Sequence, residues 1–134
     1  MDIAQLKEIE EPLVAAWNDH DVEAVVACYS DDLVYVDPNT RGPVKGADAM
    51  RRYLTKLFDS WEMHWTIKQV FPLVDLDGSA ALWRASLTAR ATGKTAEVDG
   101  MDLVLIEGSK VKRNEVYYDR AVLASLVAPE QAAV

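Results

Sequence analysis

LVYVDPNTRGPVKG, residues Leu33 to Gly46, joins two halves of the chain that are written in different patterns. The branched and aromatic residues from Leu33 to Val36 read as a strand that ends at Asp37, because Pro38 cannot donate to a sheet ladder. From Pro38 to Gly46 the proline, asparagine and glycine content reads as a loop. Before this stretch, apolar residues recur at helical steps. After Ser60 they fall in long β-prone runs divided by turn signals. Helices first and hairpins afterwards predict an α+β fold.

Working back from Leu33, Asp2 and Gln5 have the spacing of a helix-capping box, and Ile3, Leu6, Ile9, Leu13 and Trp17 mark one face of an amphipathic helix. Pro12 inside that pattern predicts a kink or a restart. Asp21 is placed to cap a short second helix through Val22, Val25, Val26 and Tyr29. Working forward, Ala47 to Phe58 reads as a third helix, with Met50, Tyr53, Leu54 and Leu57 on one side. The segments Trp61 to Val74, Ala80 to Ala91, Thr95 to Ile106 and Val111 to Tyr118 read as hairpin-linked antiparallel strands. A last helical turn or two follows from Arg120 to Val127. The expected architecture is a cone-shaped, curved antiparallel sheet packed against N-terminal helices and enclosing a pocket, with residues 1–128 as one domain and 129–134 as a frayed tail.

The chain has 134 residues, enough for one buried core. Its 22 acids against 14 bases give a net charge of −8, which repels phosphate backbones and argues against nucleic acid as a partner. No run approaches the ~20 apolar residues that span a bilayer. The acidic start also differs from a secretory signal, so no membrane partner and a cytoplasmic location are expected. The lone Cys28 cannot close an internal disulfide and lies in an apolar helical run, where it reads as packing. His20 in a polar turn and His64 on a polar strand face read as surface residues, so no metal is expected. Without a phosphate-cradling glycine loop or a nucleophile elbow, no cofactor is expected either.

Two acids stand at the ends of apolar patterns. Asp37 shares a strand face with Leu33 and Tyr35, and is either a turn-closing acid of DPNT or an acid held in the pocket. Asp102 alternates with Val104 and Ile106, while Met101, Leu103 and Leu105 form the opposite face, and Asp99 and Gly100 before it suggest a bulge or an edge. Two carboxyls with unequal surroundings are a recurrent means of holding one base and one neutral acid near pH 7. Trp17, Tyr35, Tyr53, Trp83 and Tyr117 are the candidate walls of a site for a small apolar molecule.

The stretch AAWNDHDVEAVVACYSDDLVYVDP, a helix opening Gly-x-x-x-Met-Arg, and hairpin strands ending in VYYD together resemble the SnoaL-like and ketosteroid-isomerase-like members of the nuclear transport factor 2 superfamily. The resemblance covers nearly the whole chain and implies a fold usually found as a homodimer. It puts Asp37 where the steroid isomerases keep their general base and Asp102 where they keep a protonated, hydrogen-bond-donating aspartate. The position of the oxyanion tyrosine is Leu13, which donates nothing, so Tyr35, Tyr53, Tyr117 or a tryptophan N–H would have to replace it. The epoxide hydrolase branch needs an acid beside Arg84, and ALWRASLTAR has none. The resemblance thus implies cofactor-independent proton transfer by an isomerase, cyclase or dehydratase on an apolar carbonyl compound. The alternative is a non-catalytic ligand-binding or protein-interaction domain of the same fold.

Overall fold

The computed structural model describes residues 1–128, so the expected tail 129–134 lies outside the described residues. Helix α1, Ile3–Asn18, opens with the capping box: Gln5 N donates to Asp2 Oδ1 at 2.8 Å and Asp2 N donates to Gln5 Oε1 at 2.9 Å. Pro12 neither stops nor restarts α1. Pro12 and Glu8, whose carbonyl loses its helical donor, are both exposed, so water can satisfy that group. Asp21 caps α2, Val22–Ala27, by accepting from Ala24 N at 3.1 Å. The second helix is shorter than its apolar pattern predicts, because Cys28 ends it and Tyr29 begins the first strand.

The remaining elements are β1 (Tyr29–Val36), β2 (Val44–Lys45), α3 (Ala47–Ser60), β3 (Trp61–Pro72), β4 (Gly78–Ala89), β5 (Thr95–Glu107), β6 (Lys110–Tyr117) and α4 (Ala121–Val127). The six strands form one curved, unclosed sheet in the order β2-β1-β6-β5-β4-β3. β3 to β6 make the expected antiparallel meander, but β1 pairs with β6 in parallel, so the sheet is mixed. Strand alternation specifies which face a residue occupies and carries no information about which strand comes alongside.

The outer edge of β3 is closed by the end of α1. Trp65 N donates to Asn18 Oδ1 at 2.8 Å, Asn18 Nδ2 donates to Trp65 O at 3.0 Å, and Met63 N donates to His20 Nε2 at 3.1 Å. His20 is therefore a half-buried latch against the Phe58 ring rather than a solvated loop residue.

On β4 the alternate residues Ser79, Ala81, Trp83, Ala85, Leu87 and Ala89 are buried, which defines the inner face of the sheet. Leu6, Leu13 and Trp17 from α1, Met50 and Leu54 from α3, and Leu123 and Leu126 from α4 belong to the same core cluster. β5 runs unbroken through Asp99 to Asp102, and its register shift comes later, between Leu105 and Ile106. Gly100 thus makes no bulge. A Cβ there would lie 2.5 Å from Trp83 Cη2 and 2.7 Å from the Tyr117 carbonyl, so the glycine allows the Trp83 ring to lie against β5. Among the described residues, no helix is long and apolar enough to cross a membrane.

Candidate active site

Between the inner face and helices α1 and α3 lies a hollow of about 60 Å³. Asp37 and Asp102 both line it, with Trp17, Tyr35, Trp65 and Trp83 among its aromatic walls and Leu13 among its aliphatic ones. The end of β1 carries Asp37 inward, on the face shared with Leu33 and Tyr35. The middle of β5 carries Asp102, directly opposite Ala81 on β4 and Val116 on β6.

The Asp37 carboxyl is surrounded by donors. Asn39 N and Thr40 N donate to Oδ1 at 2.7 and 3.1 Å. Tyr35 Oη donates to Oδ2 at 2.8 Å, and Tyr53 Oη makes a shorter bond to the same atom. Asp37 therefore closes the turn of DPNT with one oxygen and faces a tyrosine pair with the other. A carboxyl has about four acceptor positions, and here all four are taken. Burial, and then the neighbouring Asp37, pushes the Tyr35 and Tyr53 hydroxyls well above their ordinary range, so both remain protonated donors.

Asp102 has a different environment. Trp83 Nε1 donates to Oδ1 at 2.7 Å and Asn114 Nδ2 to Oδ2 at 3.2 Å. Asn114 is in turn held by Tyr29, whose hydroxyl donates to Asn114 Oδ1 at 2.8 Å while accepting from Trp17 Nε1 at 3.4 Å. This chain links α1, β1, β6, β5 and β4 through polar atoms inside an apolar core. Burial of the carboxyl raises Asp102 to about 6; the Trp83 and Asn114 bonds oppose that rise, and Glu10 and Asp37 add to it.

Of the residues expected at the site, Trp17, Tyr35, Trp83, Asp37 and Asp102 meet at the hollow. Tyr53 stands behind Asp37 and reaches the site through it. Tyr117 does not belong there: it is 53% exposed on the outer face and donates to Glu115 Oε2 at 2.6 Å. Its neighbour Tyr118 lines the hollow instead. Alternation gives the signal for this, since Asn114, Val116 and Tyr118 share one face and Arg113, Glu115 and Tyr117 the other. Tyr29, Asn114 and Trp65 were not anticipated as site residues. Neither was Glu10, although the steps Leu6, Glu10, Leu13 and Trp17 place it on the buried stripe of α1. Among the described residues, no group of three or more His, Cys, Asp or Glu side chains is placed to hold a metal ion.

Residues 11–114 match the model of the SnoaL-like domain, and the chain belongs to that family. No curated relative matches the sequence. Solved structures match over nearly the full length. A Bacillus subtilis protein provisionally named an isomerase superposes with a TM-score of 0.85 at 14% identity, covering 94% of this chain and 95% of that one. A Pseudomonas putida protein provisionally named a polyketide cyclase gives 0.81 at 21%, covering 92% and 98%. A Catenulispora acidiphila protein of ketosteroid-isomerase-like fold, in complex with trimethylamine, gives 0.79 at 19%, covering 91% and 94%. At these identities the likeness is one of fold.

Proposed function

We propose that the protein is a small-molecule enzyme of cofactor-independent proton transfer, an isomerase, cyclase or dehydratase acting on a compact apolar carbonyl compound. One observation carries this reading: two carboxyls with unlike surroundings, Asp37 and Asp102, line one hollow whose other walls are mostly apolar or aromatic. Asp102 is suited to exchange a proton, because it is raised to about 6 and its two donors leave acceptor positions free. Asp37, the general base by family likeness, can take a proton from a ligand once Tyr35, which lines the hollow, turns from it towards the ligand oxygen. That turn would hand a developing oxyanion the phenol donor that Leu13 cannot supply. With about 60 Å³, the hollow would receive the reacting end of such a compound, the rest passing Val14 and Ile67 at the rim.

The test is proton–deuterium exchange at the α-carbons of small cyclic ketones in D2O, followed by NMR. Asp37→Asn and Asp102→Asn should each slow exchange by about 10²-fold or more. Exchange that proceeds unimpaired in both variants disposes of the reading.

A second reading, a binding protein for a compact organic cation, is favoured by one feature of the same hollow. Among the described residues, its lining has two acids and five aromatic side chains but no Lys, Arg or His. The Catenulispora relative bound to trimethylamine fits this reading. Calorimetry with trimethylammonium and with uncharged tert-butanol separates the two, since a cation site takes only the former.

The homodimer expected from the family also has a candidate surface. On the outer face of the sheet, Phe71, Ala80 and Leu103 lie in one row and Leu82, Met101 and Tyr117 in the next. Phe71, Met101 and Tyr117 are exposed. A second copy seated there would cover them, and light scattering on Met101→Glu against the parent protein tests it.

A further inference from the structure

Helix α1 brings a third carboxyl to the inner face of the sheet. Glu10 is only 7% exposed, although it lies in the acidic run EIEEP. Ser79 Oγ of β4 makes a short hydrogen bond to its Oε1, and its Oε2 is buried with no partner among the described residues. An ionised carboxylate with one oxygen dry and unbonded is costly, so the site favours a proton on Glu10.

The sheet register relates Glu10 to Asp102. Ser79 and Ala81 are successive inward residues of β4, and Ala81 stands directly opposite Asp102 on β5. Diagonal neighbours on one face, such as Ser79 and Asp102, lie roughly 7–8 Å apart. Val14, one helical turn beyond Glu10, lines both the hollow that holds Asp102 and the groove between α1 and β3 that holds Glu10.

We propose that Glu10 and Asp102 form a coupled carboxyl pair, in which the proton on one decides how readily the other gives up its own, so that Glu10 sets the pH at which the hollow loads a proton. Two carboxyls in one dry region resist ionising together, because each desolvated charge raises the cost of the second. Burial lifts both groups above their ordinary values, and Glu10 adds more to the rise of Asp102 than Asp37 does. Around Asp102 the other facing groups are Tyr29 of β1, Asp37 just beyond its end, Trp83 of β4 and Asn114 of β6. Around Glu10 they are Ser79 of β4, with Lys7 and Glu11 of α1 and Lys68 of β3 along the groove. Glu10 touches no ligand in this scheme; it is a positioning residue for the charge of Asp102. The inference rests on the proposed role of Asp102 only for its meaning in catalysis, and the titration follows from the geometry whether or not the protein is an enzyme.

The test needs no substrate. The indole N–H of Trp83, bonded to Asp102 Oδ1, reports the ionisation of that carboxyl in a ¹H–¹⁵N spectrum of the ligand-free protein taken from pH 4 to 9. The parent protein should titrate in two steps, and Asp102→Asn should abolish the Trp83 response, which assigns it. Glu10→Gln keeps the shape and the Ser79 contact, and should collapse the response to one step at a lower midpoint. An unchanged curve in Glu10→Gln overturns the proposal. The reciprocal measurement follows the Glu10 carboxyl carbon, whose midpoint should fall in Asp102→Asn if the pair is coupled and stay in place if it is not. It also decides the matter if Glu10→Gln fails to fold. A merely structural Glu10 would lower the melting temperature and leave both titrations where they were.

Discussion

Trp83 and Asp102 lie diagonally on neighbouring strands of the inner face, and the indole N–H of one donates to Oδ1 of the other at 2.7 Å. This bond and the burial of Asp102 pull its proton affinity in opposite directions, with burial the larger effect. Removing the donor while keeping an aromatic ring should therefore leave burial less opposed. Trp83→Phe is expected to move the Asp102 midpoint upward from about 6, read from the carboxyl carbon shift against pH. A midpoint that falls would mean the indole does not stabilise the ionised form.

The same carboxyl links stability to pH. Its folded-state value, about 6, lies above the ordinary 3.8. An acid raised on folding contributes stability that is complete below the unfolded value and lost as pH rises through the folded one. Relative to Asp102→Asn, the parent protein should lose about 2 kcal/mol between pH 4 and pH 7 and then level off. Taking the difference cancels the pH-independent cost of placing an amide against the Trp83 and Asn114 donors. Urea melts of both proteins at four pH values measure it, and a constant difference would show that Asp102 titrates normally.

What was legible in the sequence follows from the range of the forces involved. The caps at Asp2 and Asp21 depend on neighbours three residues away, and both form as their spacing predicts. Alternation is a local rule, so it groups Asp37 with Leu33 and Tyr35, and Asp102 with Val104 and Ile106, but with apolar residues on both faces of each strand it leaves open which face is the inner one. The pairing of β1 with β6 is not local: Val34 stands beside Arg113, and no periodicity in either segment encodes that meeting. Asn114 escaped notice for the same reason, since its function arises only where Tyr29 and Asp102 converge on it from other strands. Glu10 was passed over for a different reason. Its position on the stripe was readable, but in an acidic run its charge outweighed its spacing, and the partner that admits it, Ser79, lies far along the chain.

Asp37 allows a test of how its two tyrosines share one atom. Tyr35 and Tyr53 both donate to Oδ2, while Oδ1 is satisfied by the turn. Either single change to phenylalanine leaves Oδ2 one donor and should cost about 1–2 kcal/mol. The double variant strands a buried oxygen, since Asp37 is only 7% exposed. Its loss should exceed the sum of the singles by at least about 0.5 kcal/mol in denaturant melts. Strict additivity would mean that the two hydroxyls act independently.

Gly100 supports the site without containing a reactive atom. The Cβ of an alanine there would meet Trp83 Cη2 at 2.5 Å and the Tyr117 carbonyl oxygen at 2.7 Å. The ring can move aside, but the carbonyl belongs to the β5–β6 ladder, where Tyr117 pairs with Met101, and it yields less easily. Gly100→Ala should therefore destabilise the fold by about 1–3 kcal/mol, the usual range for overpacking. It should also displace the indole from Asp102 and so raise the Asp102 midpoint in the same direction as Trp83→Phe. Combining the two substitutions separates the effects: phenylalanine at 83 relieves the ring clash and leaves the carbonyl clash. The double variant should thus regain part of the lost stability, with no midpoint shift beyond that of Trp83→Phe alone. Melting curves and carboxyl titrations of all three variants measure this, and a double variant no more stable than Gly100→Ala would place the whole clash in the backbone.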